Sequence, residues 1–405
     1  MTIQSNFNLV YVLNGLGFSS GMPIGGADKR ALEVGRYLEE SGVAVTVLTT
    51  DAGRVILEKW SWPAKVIEIV RPSFWPKALE NGVLGRVLAY FYSILADLFL
   101  VYKLPATNYE LIIYPTSDMF FDILPALFLK LKFRKAKLVG IVHHWIPNPL
   151  SRGGFSFSNL ALFIAQRAGF YFLRTAADRI FVPKTQEGEK IRKVMSNLGV
   201  SQNRIFSFKN GVNIEEIAKA PETEKFYEAC FLGGFRPSKG IFDIVPVWQK
   251  VRQHLSEAKL LVIGGGMEKY KKELENRIKE AGLSDSIILA GVVNQSELYK
   301  TMKTARILLS PSHEEGWGIA VLEALACGLP VVAYDLPAYT VFKEAVVRVK
   351  LGEKDKLAEK VVSLLCSAEV FEKQKRLGLS VAEEFDWREI AVEEKYALDT
   401  IFTAQ

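Results

Sequence analysis

Short runs of β-branched and aliphatic residues alternate along this chain with longer amphipathic stretches, and this alternation restricts the fold more than any other feature. The runs 7–13, 44–49 and 138–143 have the length of buried strands, and the stretch 27–41 has its apolar residues at helical spacing. Strands that are joined through helices form parallel sheets. The sequence therefore predicts an α/β protein with doubly wound, Rossmann-like sheets.

The pattern occurs twice, in a chain of 405 residues that is too long for one hydrophobic core. A second series of strand-like runs begins at 227 and ends at 348, and the polar stretch 184–223 separates the two series. We expect an N-terminal domain of residues 1–182, with 386–405 packing back on it, and a C-terminal domain of residues 183–385.

Positive charge is concentrated in the first part of the chain. Between Asp122 and Asp178 there are eight basic residues and no acidic one, and aromatic residues are interspersed among them. Such a segment favours anionic partners and is also what a membrane-surface site needs. The alternative is that the aromatic residues fill the N-terminal core while the basic ones are solvated.

Compartment and membrane topology follow from weaker signals. The three cysteines lack any CxxC spacing, which is typical of reduced core thiols in a cytosolic protein. The apolar run 9–13 lacks a basic n-region, and Asp97 interrupts the oily stretch 87–104, so we expect neither a signal peptide nor a transmembrane helix. The predicted location is cytoplasmic, with a peripheral position on the cytoplasmic membrane face as the further expectation.

Glu315 and Glu323 stand eight positions apart on either side of a glycine turn. Apolar spacing predicts that a helix begins near Gly318 and ends at Gly328. A glycine turn at a helix N-terminus presents free N–H groups and positive potential to a phosphate. Glu323 could then accept from ribose hydroxyls, and Glu315 could meet a sugar beyond the phosphates. The alternative is a strand–loop–helix whose carboxylates are merely solvated.

Seven motifs in this order resemble those of family 4 glycosyltransferases. They are Gly25-Gly26-Ala27-Asp28, Asn210-Gly211-Val212, Phe231-Leu232-Gly233 with Lys239-Gly240, Gly264-Gly265-Gly266, Gly291-Val292-Val293, the E-x7-E region from Pro311-Ser312 through Glu315 and Glu323 to Val332, and Phe385-Asp386-Trp387. The resemblance implies the GT-B fold, with two Rossmann-like domains facing a cleft and a C-terminal helix that crosses back to the N-terminal domain. It also implies retaining sugar transfer, with acceptor bound by the N-terminal domain and nucleotide sugar by the C-terminal one.

The resemblance further implies a reaction without metal, and the chain contains no Asp-x-Asp motif. Lys239 matches the family lysine that stabilises the departing diphosphate. Gly234 stands where the family usually has an arginine, and either Arg236 supplies that guanidinium or the site is weaker. His143 and His144 end a strand at the sheet edge where such folds bind ligands. By resemblance, one of them matches the histidine that faces the reacting sugar, and position favours His143, with His144 pointing to the opposite face.

The expected roles are as follows. Catalytic residues are His143, Lys239 and Glu315. Donor-binding residues are Gly25, Gly26, Arg236, Lys239, Val293, Glu315, Gly316, Trp317, Gly318, Ile319 and Glu323. Acceptor-binding residues are His144 and Arg152. No cofactor, metal or nucleic acid is expected, and the chain is expected to be a monomer or weak homodimer.

The predicted reaction moves a hexose from a UDP- or GDP-linked donor to a lipid-linked or other anionic glycan precursor, in the synthesis of cell-surface polysaccharide or glycolipid. Alternatives are a nucleotide-sugar epimerase or phosphorylase on the same fold, or a silent sugar-nucleotide-binding partner, which the Gly234 departure keeps open. The stretch Gly15 to Gly21, with Asp51 after the next strand, resembles a dinucleotide-binding fingerprint, but its third glycine is one residue late. A dehydrogenase would also leave the motifs of the second part unexplained.

Overall fold

A computed structural model describes residues 7–13, 25–60, 62, 64–69, 92, 95, 96, 110–151 and 157–403. These residues divide into two compact units. Among the described residues, the first unit comprises those from 7 to 209 and those from 388 to 403. The second unit comprises Asn210–Trp387.

The first unit is built on a seven-stranded parallel sheet in the order β3-β2-β1-β4-β5-β6-β7. Its strands are β1 (Phe7–Leu13), β2 (Ala44–Thr50), β3 (Lys65–Ile69), β4 (Glu110–Pro115), β5 (Lys137–Ile141), β6 (Arg179–Pro183) and β7 (Ile205–Phe208). Among the described residues, its helices with defined bounds are α1 (Gly26–Glu40), α2 (Asp51–Lys59), α3 (Phe120–Lys132), α4 (Phe157–Ala176) and α5 (Gln186–Asn197). Aliphatic side chains of the central strands and of α3 and α4 form its core.

The second unit has a six-stranded parallel sheet in the order β10-β9-β8-β11-β12-β13. Its strands are β8 (Tyr227–Leu232), β9 (Leu260–Ile263), β10 (Ile287–Gly291), β11 (Ala305–Ser310), β12 (Val331–Tyr334) and β13 (Val346–Val349). Its helices are α6 (Ile214–Lys219), α7 (Ile244–His254), α8 (Glu268–Glu280), α9 (Gln295–Met302), α10 (Ile319–Ala326), α11 (Lys354–Cys366) and α12 (Ala368–Ala382).

The strand-like runs 7–13, 44–49 and 138–143 form β1, β2 and β5 within two residues of their expected bounds, but one further strand was not expected. The polar stretch 184–223 was expected to be a passage between domains, but it contains α5 and β7. Strand β7 pairs in parallel with β6, so the first unit continues to Lys209 instead of ending at 182. The predicted boundary was wrong because a four-residue strand between polar segments gives almost no periodic signal.

The last helix, α13 (Trp387–Thr403), packs within the first unit, as the predicted fold requires. Glu394 on this helix forms a buried ion pair with Arg30 of α1, and the second guanidinium contact measures 3.4 Å. The Arg30 guanidinium also lies 4.5 Å from the ring centre of Phe208. A pair that is buried and multiply contacted specifies how α13 docks, because removing either partner would leave a buried charge.

Two further expectations can be compared with the described residues. No helix among them is long and apolar enough to cross a membrane. All three cysteines are free thiols, but Cys366 is exposed instead of lying in a core.

Candidate functional site

The loop between β11 and α10 places a helix N-terminus at the carboxyl edge of the second sheet. Gly318 precedes the helix with a φ of 97°, in the left-handed region. A Cβ at this position would lie 2.6 Å from the Tyr339 ring, so both the backbone conformation and the packing require glycine. The first N–H groups of α10, beginning near Ile319, have no intrahelical partner and form a site suited to a phosphate.

Lys239 and Glu315 form an ion pair beside this turn. The Lys239 Nζ lies 2.6 Å from Glu315 Oε2, and both side chains are mostly buried. Lys239 ends a short 3-10 helix after β8, and Gly240 follows with a φ of 66°. A Cβ on Gly240 would lie 1.8 Å from the Pro311 carbonyl oxygen, so this glycine allows the two loops to touch. Two residues separated by 76 positions are thus held in contact by backbone packing.

Ser312 provides a second hydrogen-bond partner for the Glu315 carboxylate. Its Oγ donates to Glu315 Oε1 at 2.8 Å, while Oε2 accepts from Lys239. Each carboxylate oxygen has a second lone pair that remains available for a sugar hydroxyl. Ser312 was predicted as part of the motif but not as a site residue, although a serine three residues before a glutamate is a recognisable local hydrogen-bonding pattern.

Asp243 connects the Glu315 loop to neighbouring parts of the second unit through hydrogen bonds and an ion pair. It accepts hydrogen bonds from His313 Nε2 at 2.8 Å and Tyr334 Oη at 3.0 Å, and Lys354 Nζ lies 2.9 Å from its other oxygen. Burial opposes its ionisation, yet the hydrogen bonds from His313 and Lys354 hold its pKa below the ordinary value. The His313 backbone N–H also donates to the Ser238 carbonyl at 2.9 Å, which ties the Glu315 loop to the Lys239 loop. His313 therefore supports the site through its contacts with Asp243 and Ser238.

The side chains of Glu323 and Trp317 are almost completely buried. Glu323 lies within α10 and is 4% exposed, with the Tyr299 hydroxyl 3.4 Å from its Oε1. Trp317 is 3% exposed, and its ring packs edge-on against Phe385 at 5.9 Å. The Trp317 side chain therefore fills the core, and its expected donor role is left to its backbone. Gly316, one residue earlier, is half-buried.

Arg236 folds back over Gly234. Three guanidinium atoms of Arg236 lie near the point where a Cβ of residue 234 would stand. The distances are 3.3 Å for Nε, 3.6 Å for Nη2 and 3.8 Å for Cζ. The guanidinium thus occupies the space into which an arginine at 234 would begin to project. Val293, predicted beside the nucleotide, is half-buried and follows the carboxyl end of β10.

In the first unit, His143 follows β5, and its Nε2 lies 2.8 Å from the Thr116 carbonyl oxygen. Burial lowers the pKa of His143 to about 3, and the positive charge of Arg30 acts in the same direction. The ring is therefore neutral near pH 7. Because a carbonyl can only accept, Nε2 carries the proton and Nδ1 is left as a hydrogen-bond acceptor.

The other predicted residues of the first unit lie at nearby loop positions. The His144 carbonyl accepts from Gln166 Nε2 at 2.7 Å. Gly25 caps α1, Gly26 begins it, and both are exposed. Arg152 lies outside the described residues, as do positions 15–21 of the dinucleotide-like stretch.

Two carboxyl groups of the first unit, those of Asp118 and Asp28, have raised pKa values that the sequence did not indicate. Asp118 is 2% exposed and accepts from Gln166 Nε2 at 2.6 Å. Burial raises its pKa to about 7, and burial together with the charge of Asp122 raises that of Asp28 to about 6. Nothing in the local sequence around Asp118 distinguishes it from an ordinary loop aspartate.

Two family models match consecutive parts of the chain. The model of "Glycosyltransferase Family 4" matches residues 24–216, and that of "Glycosyl transferases group 1" matches residues 212–380.

Curated relatives match about half of the chain. A phosphatidyl-myo-inositol mannosyltransferase of Mycobacterium leprae is 28% identical over 204 residues, which are 48% of this chain and 53% of the relative. A GDP-mannose:cellobiosyl-diphosphopolyprenol alpha-mannosyltransferase of Xanthomonas oryzae pv. oryzae is 22% identical over 216 residues, covering 52% of this chain and 56% of the relative. The matched stretches thus span only about half the length of these relatives.

Solved structures match nearly the whole chain. Anabaena Alr3699/HepE in complex with UDP and glucose superposes with a TM-score of 0.70 at 18% identity, covering 96% of this chain and 99% of that one. Sucrose-phosphate synthase from Thermosynechococcus elongatus gives a TM-score of 0.73 at 16% identity, covering 98% and 100%. These likenesses show the fold, and they confirm the predicted GT-B architecture of two Rossmann-like domains.

Proposed function

This chain belongs to the group 1, family 4 glycosyltransferases, and we propose that it transfers a hexose from a nucleoside-diphosphate sugar to an acceptor hydroxyl with retention of configuration. The observation that carries the proposal is the contact of Lys239 with Glu315 directly beside the N-terminus of α10. A cation, a carboxylate and unpaired helix N–H groups at one point can serve the two parts of such a donor. The N–H groups and the lysine suit the diphosphate, and the carboxylate suits sugar hydroxyls.

The leaving group is stabilised by fixed positive charge in this proposal. When the bond from the anomeric carbon to the diphosphate oxygen breaks, negative charge develops on that oxygen. The Lys239 ammonium, the Arg236 guanidinium and the first N–H groups of α10 are the groups of the second unit that can receive it. We propose that this arrangement operates without a metal ion.

The two glutamates take different parts of the donor. Glu323, one turn inside α10, is proposed to accept from the ribose hydroxyls, and Glu315 from a hydroxyl of the transferred sugar. The family resemblance favours His143 as the histidine at the reacting sugar, for which its neutral ring offers Nδ1 as an acceptor. For retention, the departing phosphate oxygen takes the proton of the attacking acceptor hydroxyl on the same face of the sugar, so a covalent enzyme intermediate is unnecessary.

Lipid-linked acceptors are the proposed class. Two relatives carry names with a lipid acceptor, phosphatidyl-myo-inositol in one and cellobiosyl-diphosphopolyprenol in the other. GDP-mannose, in the second name, and UDP-glucose, which the Anabaena protein binds in another complex, are the first donors to examine.

A membrane-facing surface supports this choice. Phe157, Ile164 and Tyr171 are spaced seven residues apart on α4 and are 75%, 54% and 57% exposed. Their common face is thus apolar and solvent-accessible. The basic end of α3 lies beside the last turn of α4, where Lys130 Nζ donates to the Ala176 carbonyl at 3.0 Å. We propose that this face settles on anionic lipid.

Several basic residues of this segment make intramolecular contacts and are not available to a lipid surface. Asp178 pairs with Lys130 and, at 3.6 Å, with Lys137, and the Arg167 guanidinium lies 3.7 Å from the Trp145 ring centre. Exposed cations adjoining α3 are Lys132, Arg134 and Lys135. Each cation near an anionic surface contributes about 1 kcal/mol, so these three suffice for a weak, salt-sensitive contact.

Donor binding is tested by a thermal-shift screen of UDP, GDP, ADP and their sugars, followed by transfer assays with the ligands that bind. A ligand at a hundred times its Kd stabilises the fold by roughly 2.7 kcal/mol, which is readily seen as a raised Tm. A protein that binds none of these nucleotides, or binds them and transfers sugar to no acceptor in a broad panel, contradicts the proposal.

Membrane contact is tested separately by flotation with anionic and neutral liposomes. We expect binding to anionic liposomes at about 0.1 M salt that falls at about 0.5 M, because the Debye length shrinks from about 10 Å. Phe157→Ser/Ile164→Ser should reduce flotation, whereas the control Lys190→Gln, an exposed cation on α5, should not. Equal, negligible binding to both liposome types would leave a water-soluble acceptor.

A further inference from the structure

The second unit contains a cavity of about 360 Å³ at the opposite sheet edge from the Lys239–Glu315 pair. Lys225 and Arg306, which lie at the amino ends of β8 and β11, contribute to its wall, as do Cys327 and Gly328 just beyond the C-terminal end of α10. The strands of the sheet are parallel, so residues at their amino ends face away from the loops at their carboxyl ends. This cavity is therefore distinct from the proposed donor site.

Four cationic side chains line the cavity: Lys225, Lys303, Arg306 and Lys375. Two carboxylates, Glu222 and Glu383, also line it, which leaves an excess of two positive charges. An excess of charge of one sign in a partly enclosed space raises the local concentration of the opposite ion.

Two of these cations are fixed by hydrogen bonds to the chain. Lys303 is 5% exposed, and its Nζ lies 2.8 Å from both the Ala220 carbonyl and a Glu222 carboxylate oxygen. Lys225 Nζ donates to the Lys303 carbonyl at 2.6 Å. Ammonium groups held in this way are preorganised, because binding an anion requires little further ordering of them.

The other two cations are placed by contacts with neighbouring elements. Lys375, on α12, lies against Gly328, with its Cε 3.4 Å from where a Cβ would stand. Arg306 donates at 3.4 Å to the Leu365 carbonyl and lies 5.4 Å from the Phe371 ring centre. Burial lowers the pKa of Lys225, and the charge of Lys375 acts in the same direction. The positive charge of Lys375 thus disfavours the protonated form of Lys225.

We propose that this cavity binds a small phosphorylated molecule through Lys225, Arg306 and Lys375. Its volume lies in the range of small-molecule sites, about 300–1,000 Å³. Phosphoryl oxygens are suited to such an array, since lysine approaches them as a point charge and arginine as a planar fork. Apolar lining from Ile214 and Leu379 can contact a non-polar body of the ligand.

The experiment uses inorganic pyrophosphate as probe and calorimetry as readout. Pyrophosphate could also enter the donor site, so the titration is made in an Arg236→Ala/Lys239→Ala background that weakens that site. We expect this background protein to bind pyrophosphate. Adding Lys225→Gln and Lys375→Gln should weaken binding by about tenfold or more, the loss typical of charge-assisted hydrogen bonds.

The matched control is Lys373→Gln, an exposed lysine two residues away on the same helix that does not line the cavity. It should leave pyrophosphate affinity unchanged. If the double cavity substitution lowers the Tm of the apo protein, Lys375→Gln alone replaces it, since this half-buried surface position is less demanding of the fold. Absence of pyrophosphate binding in the background protein, or equal affinity with and without the cavity substitutions, would overturn the proposal.

Discussion

Replacing Glu323 by glutamine separates the charge of this side chain from its packing. Glu323 is 4% exposed within α10, so truncation to alanine would create a cavity as well as remove a carboxylate. Glutamine preserves the volume and retains an oxygen that can accept from the Tyr299 hydroxyl, 3.4 Å away. The remaining difference is the negative charge offered to the ribose hydroxyls.

The expected loss follows from that difference. Hydrogen bonds to a charged group contribute about 1.5–3 kcal/mol, and a neutral amide retains only part of this. We therefore expect Glu323→Gln to weaken binding of UDP or GDP, whichever the protein prefers, and the loss should not exceed roughly 3 kcal/mol. This limit corresponds to about a hundredfold in Kd.

Calorimetry with a matched pair of nucleotides localises the effect. The wild type should bind the ribonucleoside diphosphate more tightly than its dideoxyribose analogue, whereas Glu323→Gln should lose most of this preference. As a control, Glu315→Gln should retain affinity for the plain diphosphate while turnover of the sugar nucleotide falls. If Glu323→Gln bound the ribonucleotide as tightly as the wild type, or kept the full preference for ribose, the ribose role of Glu323 would be refuted.

Three further outcomes are expected. Lys239→Ala should lower kcat by about a hundredfold or more, because one preorganised charge at the leaving group is removed, and EDTA should leave the wild-type rate unchanged; loss of activity in EDTA that magnesium restores would refute the metal-free proposal. Arg236→Ala should lower turnover and Gly234→Arg/Arg236→Ala should regain part of it, whereas no effect of Arg236→Ala would remove this residue from the site. Burial raises the folded pKa of Asp118 from 3.8 to about 7, so the folded state holds a proton that the unfolded state loses, and the free energy of unfolding should decline between about pH 4 and 7. Asp118→Asn, whose amide oxygen can still accept from Gln166, should flatten that decline, at about 1.4 kcal/mol per pKa unit, and denaturant unfolding at several pH values measures it.

Local patterns in the sequence were sufficient for most of the fold. Strand β1 coincides with its predicted bounds and β8 begins at its predicted residue, because each is a mostly apolar run. Strand β7 was missed because four residues between polar segments carry no such run. Its place is decided by pairing with β6, which is a tertiary contact.

The site was predictable where it follows a motif and not where it depends on distant contacts. The glycine turn at Gly318 and the start of α10 were expected from spacing alone. The contact of Lys239 with Glu315 required the approach of two loops, which Gly240 permits. The sequence did not indicate that the Trp317 side chain packs in the core, which leaves only its backbone for a donor contact. Residues such as Asp118 acquire unusual pKa values only from surroundings that the folded chain assembles.

The stereochemistry of transfer tests the central claim most directly. The measurement is the anomeric proton signal of the product, recorded by NMR after incubation with an α-configured donor such as GDP-mannose or UDP-glucose, an acceptor, and EDTA. We predict an α-linked product formed in equal amount with free nucleoside diphosphate, and formation at least about a hundredfold slower with Lys239→Ala. A β-linked product, or an α-linked product formed equally fast without the Lys239 ammonium, would contradict the account.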